Sequence, residues 1–465
     1  MTIKVCLTGA TGFVGRNLLD FLADHPDIEI TAISRKITPQ LEGAKKKNVT
    51  WKHCNGFSMI EAEKVTEGAD VLIYLIHSML PPVSLSQGTF SEYDLYLADN
   101  FARAASKNGV KRIIYLSGLI PDEPNLSSHL KSRLEVEGVL ASYGNKVSTL
   151  RAGLIVGKNG SSFRILERLV TRLPMFICPE WTNSKSQPID LDDVLASLKY
   201  CIENYPDLNQ VYDIGGPDAF SYKEMLTRTA KALGKHRPII NVPYFSPGLS
   251  KLWVSKITAT PSHLVYPLVE SLKHSMVVRD DYKLELKDHK YKTFDESLEQ
   301  SLSKRGKGWV WRIIDYQVDL NISILKNVSS IQRMHSGKKM TAHEVSEEYF
   351  QWLPVFLNPF IQVAREGEHV YFRFFKKITL LILTRSEERS DESREIYYIT
   401  GGVLSRKKHF NERIEFRWIE SSSCFLIALL NFNPSLPWFI YKFTQAIVHL
   451  LVMNRFESHL KKLRA

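Results

Sequence analysis

The chain has 465 residues, 44% hydrophobic and 24% charged, with a formal net charge of +11. That length exceeds one average domain, and the composition is that of an ordinary soluble globular protein with ample core residues. Five scattered cysteines with no C-x-x-C pair exclude a disulfide framework or a zinc site and fit reduced thiols in the cytoplasm.

No secretory leader is apparent before the first strand-like run. The longest apolar run, Leu436 to Met453, is interrupted by Lys442, Gln445 and His449, so no transmembrane segment is expected. The charge is uneven: from Asn321 onward 21 Lys and Arg stand against 14 Asp and Glu, net +7. Such an excess suits solvated surface charge, or contact with an anionic membrane surface or an acidic partner. No nucleic-acid motif, metal-ligand spacing, internal repeat or low-complexity tract occurs.

The first element is the apolar run Ile3 to Leu7. It breaks into Thr8-Gly-Ala-Thr-Gly-Phe-Val-Gly15, and an amphipathic run, Arg16 to Asp24, follows. Strand, glycine turn and helix in that order form the context of a dinucleotide-binding fingerprint. Gly9 suits the tight turn, Gly12 leaves room for a pyrophosphate, and Gly15 lets the helix pack on the strand. The helix N-terminus offers N–H groups to the anion, with Thr11 and Phe13 in the same loop.

Ile28 to Ser34 predicts a second strand, ending in Ser34-Arg35-Lys36. A preference for NAD would place Asp or Glu near this point, to bond the ribose 2′-hydroxyl. A hydroxyl and two cations suit a 2′-phosphate, so NADP(H) is favoured, with NAD(H) as the alternative. A plain surface role for Arg35 and Lys36 is the competing reading. Val49 to Cys54 predicts a third strand ending at Asn55-Gly56. Ala69 to Ile76 predicts a fourth, with the continuous apolar run of a buried parallel strand. It ends at His77-Ser78-Met79, where ligands collect in a doubly wound sheet. Helical spacing runs from Glu92 to Lys107 and includes Asn100. Lys111 to Gly118 predicts a fifth strand, ending in Ser117. Asn55, Ile76, His77 and Asn100 join the candidate cofactor contacts. Alternating strands and helices imply a doubly wound parallel α/β sheet.

Further down lie Tyr74-Leu-Ile-His-Ser-Met79, Ser128-His-Leu-Lys-Ser-Arg133, Leu150-Arg-Ala-Gly153, Gln187-Pro-Ile189 and Asp213-Ile-Gly-Gly-Pro217. With Thr8 to Gly15, Asn100 and Ile114-Tyr-Leu-Ser-Gly118, they resemble the extended and atypical short-chain dehydrogenase/reductases, in particular the NmrA-like NAD(P)-binding branch. The resemblance covers residues 1–305. It implies a Rossmann domain, with a smaller substrate-side region built after residue 150.

Active members of that superfamily carry a Tyr-x-x-x-Lys pair after a strand-end serine, the tyrosine as acid/base and the lysine lowering its pKa. No tyrosine here has a lysine four residues on. At the corresponding spacing after Ser117 stand His129 and Arg133. Three readings stay open. His129 transfers the proton, with Arg133 as the cation and Ser117 orienting a carbonyl; or His129 and Arg133 only hold the nucleotide; or His129 is an exposed helix residue of no consequence.

Leu150 to Gly157 predicts a sixth strand, and Ser162 to Leu173 a helix. Pro174 to Trp181 is a loop or edge strand whose Phe176 and Trp181 either wall a pocket or pack in the core. Gln187 to Asp193 introduces another helix through acidic capping residues. Val211 to Gly215 predicts a short strand, and Ser221 with Glu224 a capping box. Ile239 to Ser275, with Trp253 and Tyr266, suggests the lining or lid of an apolar cavity; the resemblance places it over the nicotinamide. Thr293 to Ser303 predicts the last helix of this domain, and Lys304 to Gly308 begins a linker. The expected division is therefore 1–305, a linker at 306–325, and a second domain at 326–465.

In the second domain, helical spacing runs from Thr341 to Ala364, broken at Pro354 and Pro359. Strand-like runs follow at Val370 to Phe375, Ile378 to Thr384, Ile396 to Leu404, Arg413 to Glu420 and Cys424 to Phe432. A long amphipathic helix, Trp438 to Leu463, closes an α+β domain. Asn433-Pro-Ser-Leu-Pro-Trp438, with Tyr441, Gln445, His449 and Met453, resembles an uncharacterised domain found fused behind NmrA-like dehydrogenases, of START-like helix-grip layout. That implies an apolar ligand between sheet and last helix. The strip Phe439, Phe443, Ile447, Leu450 and Leu451 either faces that ligand or is plain core, and His449 is expected to be a satisfied helix histidine.

The expected function is an NADP(H)-dependent oxidoreductase or isomerase acting on a hydrophobic carbonyl, quinone-like or lipid-like molecule. The alternatives are a non-catalytic NADP(H)-binding redox sensor or assembly factor, and a carrier of an apolar ligand.

Overall fold

A computed structural model describes residues 2–23, 25–37, 46–77, 85–207, 210–242, 256–257, 266, 269–303, 327–406 and 411–463. The chain divides into two compact units. One comprises Met1–Met79 and Leu97–Trp311, the other Leu80–Tyr96 and Arg312–Ala465. The expected first domain is thus not contiguous, because a short excursion groups with the second unit. The expected linker at 306–325 lies outside the described residues.

The first unit is built on seven parallel strands: β1 (Ile3–Leu7), β2 (Ile28–Ser34), β3 (Val49–His53), β4 (Val71–Tyr74), β5 (Arg112–Gly118), β6 (Val147–Ala152) and β7 (Val211–Ile214). Their spatial order is β7-β6-β5-β4-β1-β2-β3. The order reverses between β1 and β4, which opens a crevice at their carboxyl ends. Strands β4 and β5 are buried almost throughout, as their unbroken apolar runs require. Helices α1 (Phe13–Phe21), α2 (Met59–Thr66), α3 (Phe90–Lys107), α4 (Ser128–Leu140), α5 (Ser161–Arg172), α6 (Leu191–Glu203), α7 (Tyr222–Ala232) and α8 (Phe294–Ser303) accompany them. Local chemistry sets several starts. Asp190 accepts from the N–H of Asp192 to cap α6, and Ser221 with Glu224 forms a complete capping box on α7. The expected sixth strand is split at Gly153, where a Cβ would meet the Gln187 carbonyl oxygen at 1.8 Å.

The second unit carries β8 (Val328–Met334), β9 (Ile361–Glu366), β10 (His369–Phe374), β11 (Ile378–Arg385), β12 (Arg394–Gly401), β13 (Arg413–Ile419) and β14 (Cys424–Phe432). They form a mixed sheet in the order β9-β10-β11-β12-β13-β14-β8, and the short strand Leu85–Gln87 adds parallel to β8. Helices α9 (Ala342–Phe356), α10 (Trp438–Phe443) and α11 (Gln445–Leu460) belong to the same unit. Its core joins Tyr349, Phe350, Phe416, Phe425 and Phe456, with edge-to-face contacts among them.

Tyr96 shows how the excursion is held. Its ring lies 4.0 Å from the Arg417 guanidinium carbon, and its hydroxyl accepts from Arg417 Nη2 at 2.7 Å. Arg417 in turn donates to the buried Glu415, which Arg394 and Arg413 also reach. These three cations hold the Glu415 carboxyl well below the usual carboxylate range.

Three expectations for the second domain are corrected. The helical stretch expected to reach Ala364 ends at Phe356, and α9 runs through Pro354 in its last turn. Residues 361–366 form β9 instead, turning back into β10 at Gly367, whose φ is +58°. The closing helix breaks at Thr444 into α10 and α11. Finally, Phe439, Phe443, Ile447, Leu450 and Leu451 are neither core nor cavity lining, being between 38% and 74% exposed. The helix turns toward the sheet through Tyr441, Ala446, Val452, Met453 and Phe456. With both faces apolar, periodicity could not choose between them.

Candidate dinucleotide and catalytic site

The glycine turn between β1 and α1 is shaped for close backbone approach. Gly9 has φ +67°, and a Cβ there would meet the Leu75 carbonyl oxygen at 2.9 Å. A Cβ on Gly15 would meet the Gly9 carbonyl oxygen at 2.3 Å. Gly12 caps α1 without any side-chain hydrogen bond, and no acidic residue occupies the first turn. The helix N–H groups are therefore left to an anion, and this cradle fits a pyrophosphate. Thr8 fastens the turn to the next strand: its hydroxyl donates to the Ile73 carbonyl at 3.0 Å and accepts from the Leu75 N–H at 3.1 Å. Thr11 is half-buried at the turn. The Phe13 ring packs against Gly157 and Gly160, where added Cβ atoms would lie 2.9 and 3.0 Å from it. Its visible work is to join the turn to the loop after β6.

Strand β2 lies beside β1 in parallel register, so Ser34 and Arg35 emerge next to the glycine turn. Ser34 Oγ donates to the Lys36 carbonyl at 2.7 Å and accepts from the Lys36 N–H at 3.2 Å, which folds the strand end into a tight loop. Arg35 is exposed there. Asn55 spends its side chain on a local turn, accepting from the Phe57 N–H at 3.3 Å. Asn100 is fully buried in α3 and donates to the Gly56 carbonyl at 2.8 Å, so it pins the loop that carries Asn55. Both asparagines thus shape the loop after β3.

Ile76 and His77 are half-buried just past β4. Ser78 and Met79 of the same stretch lie outside the described residues. The His77 ring stands 5.2 Å from the His129 ring. His129 sits in the first turn of α4, which Ser127 caps by accepting the Leu130 N–H at 3.3 Å. It is 8% exposed, so it is not an exposed helix residue. Burial strips water from its imidazole, and Arg133 and His77 oppose a further proton. Its pKa is therefore held well below the ordinary 6.5. One helical turn on, Arg133 Nη1 donates to the Tyr115 hydroxyl at 3.3 Å. Tyr115 and Ser117 share a face of β5, two residues apart. Ser117 Oγ is buried with no hydrogen-bond partner among the described residues.

Further polar contacts join the segment after β5 to residues 269–279. Ser127 Oγ lies 2.8 Å from Ser271 Oγ, and His274 Nδ1 lies 2.5 Å from Glu123 Oε2. The carbonyl of Gln187 accepts from the Val278 N–H at 2.9 Å, while its amide donates to the Gly216 carbonyl at 2.7 Å. Asp213, fully buried, accepts from Arg279 Nε and Nη2 at 2.7 and 2.9 Å. These bonds fasten residues 269–279 alongside the loop after β5. Phe176 belongs to a core cluster, whereas Trp181 is half-buried. Most of the expected lid at 239–275, Trp253 included, lies outside the described residues.

The second unit contains its own cavity of about 160 Å³. Leu353, Leu380, Ile427, Leu429 and Met453 line it with other apolar residues. Its polar groups are few: the Tyr349 and Tyr441 hydroxyls, Gln445 and His449. His449 Nε2 lies 3.2 Å from Ser330 Oγ, and burial pushes its pKa down to about 4. Gln445 Oε1 is buried without a hydrogen-bond partner among the described residues.

Residues 9–152 match the family model described as NAD(P)H-binding. The auxiliary protein GraX of Staphylococcus aureus is 28% identical over 149 residues, 32% of this chain and 44% of that protein. The chain thus spans under half of that relative. A ceramide reductase of Caulobacter vibrioides is 24% identical over 283 residues, 56% of this chain and 80% of that protein. A nucleoside-diphosphate-sugar epimerase from Staphylococcus aureus shares the fold at a TM-score of 0.50 and 18% identity, covering 64% of this chain and 100% of that one. An NADPH-dependent quinone oxidoreductase from Escherichia coli, complexed with NADPH, does so at a TM-score of 0.50 and 21% identity, covering 63% and 98%.

Proposed function

We propose that the chain, whose residues 9–152 match an NAD(P)H-binding family model, is an NADP(H)-preferring oxidoreductase. Its substrate is a hydrophobic carbonyl compound of quinone-like or lipid-like character. The observation that carries this reading is the buried, neutral His129 beside His77 and Arg133, on the helix that follows Ser117. The name of the ceramide reductase relative supports a lipid-like substrate.

When bound, a nicotinamide dinucleotide would supply a hydride to the carbonyl carbon. The π electron pair of the carbonyl then moves onto its oxygen. Ser117 donates a hydrogen bond to that oxygen, and the Arg133 charge stabilises it as it becomes an alkoxide. A histidine held below 6.5 is a weak base but, once protonated, a strong acid. His129 rests neutral, so the transfer runs through its small protonated fraction: that imidazolium gives its proton to the alkoxide, returns to the neutral imidazole and takes its next proton from bulk solvent. Arg35 holds the 2′-phosphate and sets the preference for NADP(H).

NADPH consumption with long-chain and aromatic carbonyl compounds tests this reading. His129→Ala loses turnover while NADPH affinity stays intact; unchanged turnover removes His129 from the mechanism. The missing Tyr-x-x-x-Lys pair favours a second reading, a protein that binds NADP(H) without turning it over. Tight NADPH binding with no turnover of any carbonyl compound would select it. The cavity of the second unit favours a third, an apolar-ligand carrier, which mass spectrometry of solvent extracts from the purified chain examines.

A further inference from the structure

No described helix is long and apolar enough to cross a membrane. The second unit nevertheless turns large apolar side chains outward where its last helices begin. Phe439 and Phe443 sit one turn apart on α10, ring centroids 5.0 Å apart, and both are exposed. Ile447, Val448 and Leu451 continue that exposed face along the start of α11. From Asn454 onward the exposed positions become polar. The apolar outer face is therefore confined to the helix starts, whose inner face lines the cavity through Tyr441, Gln445 and His449.

A second exposed group lies at the tip between β10 and β11. Phe375 and Lys376 take φ of +46° and +61° there, a tight turn that projects its side chains. The Phe375 ring lies 5.5 Å from Phe360 and 4.6 Å from Phe374. The backbone connects this tip toward α10. Val403, also exposed, donates to the Thr379 carbonyl at 3.1 Å, and Ser435 donates to the Leu404 carbonyl at 3.0 Å.

The exposed charged residues on these segments are all cations. Lys376, Lys377, Arg406 and Lys442 are exposed among the apolar residues, and Lys442 Nζ lies 5.8 Å from the Phe443 ring centroid. No acidic residue occurs between Glu368 and Glu387, between Glu395 and Glu412, or between Glu420 and Glu457. A contiguous apolar surface normally marks an interaction site. A second copy of this chain would set these cations against each other. An anionic bilayer complements both features, taking the aromatic rings at the headgroup boundary and pairing the lysines with phosphate.

We propose that α10, the start of α11 and the β10–β11 tip form a docking surface for an anionic lipid membrane. The surface lies wholly in the second unit and does not depend on the reaction proposed above.

Co-sedimentation of the full chain with vesicles tests it, using phosphatidylcholine alone and phosphatidylcholine mixed with phosphatidylglycerol. The chain is expected to sediment with the anionic vesicles and to be released by salt. The double variant Lys376→Glu, Lys377→Glu should weaken binding by about fivefold or more per lysine. Phe443→Asp should weaken it by about tenfold or more, because the ring no longer enters the boundary. Both variants alter exposed side chains, and an unchanged melting profile with an unchanged circular dichroism spectrum reports intact folding. Failure to bind anionic vesicles, or binding that neither variant changes, overturns the proposal. A doubled mass in solution that Phe443→Asp abolishes also overturns it and assigns the face to a second copy.

Discussion

His77 and His129 meet with their ring centroids 5.2 Å apart, one past the end of β4 and the other in the first turn of α4. This pairing joins two segments far apart in sequence at the crevice where the strand order reverses. It also helps keep His129 uncharged, since a proton on either ring opposes one on the other. Replacing His129 by Ala should lower turnover by roughly 10² to 10⁴, the usual share of a positioned acid or base. NADPH affinity should change by no more than about twofold, within ordinary mutational scatter. Parallel steady-state kinetics and equilibrium titration check both halves.

Arg35 stands exposed at the end of β2. A hydrogen bond to a charged group contributes about 1.5–3 kcal/mol. Arg35→Ala should thus weaken NADPH binding by roughly ten- to a hundredfold while leaving NADH binding unaltered. Equal losses for both dinucleotides would show that Arg35 does not read the 2′-phosphate.

Gly15 and Gly68 make a controlled pair. A Cβ on Gly15 would lie 2.3 Å from the Gly9 carbonyl oxygen, whereas Gly68, at φ +70°, has open space around it. Gly15→Ala should cost about 3 kcal/mol or more, because backbone must move. Gly68→Ala should cost about 1–2 kcal/mol from the left-handed conformation alone. Urea unfolding compares the two, and NADPH binding should fail only in Gly15→Ala.

His449 gives the second unit a pH dependence. Its folded-state pKa of about 4 lies below the ordinary 6.5. The unfolded chain therefore takes up the proton first, and stability is complete above 6.5 and falls as pH drops toward 4. This residue alone should make the chain about 2 kcal/mol less stable at pH 5 than at pH 7. His449→Gln should remove that share, read as a smaller difference between urea midpoints at the two pH values. His129, depressed in the same direction, adds to the slope with the same sign.

The parallel sheet was legible because its signals are local. The runs at 3–7 and 28–34 coincide with β1 and β2, and Ser221 with Glu224 caps α7 as expected. The glycine turn was equally legible, since each glycine answers to a neighbouring backbone atom. What escaped depends on distant partners. The strand Leu85–Gln87 pairs with residues 328–330, and nothing within three residues announces that. Strand β8 carries no local signal of its own that sets it apart, and the helical spacing of 341–364 masks β9. The burial of His129 and its approach to His77 follow from the packing of α4 across the strand ends. The outward face of α10 and α11 was misassigned because its inward face is apolar too.

The most direct test of the account is a calorimetric titration of the full chain with NADPH and with NADH. Tight NADPH binding is expected, with NADH binding weaker by roughly tenfold or more and the difference abolished in Arg35→Ala. A folded protein that binds neither dinucleotide would contradict that expectation, and would reduce the turn at Gly9, Gly12 and Gly15 to architecture alone.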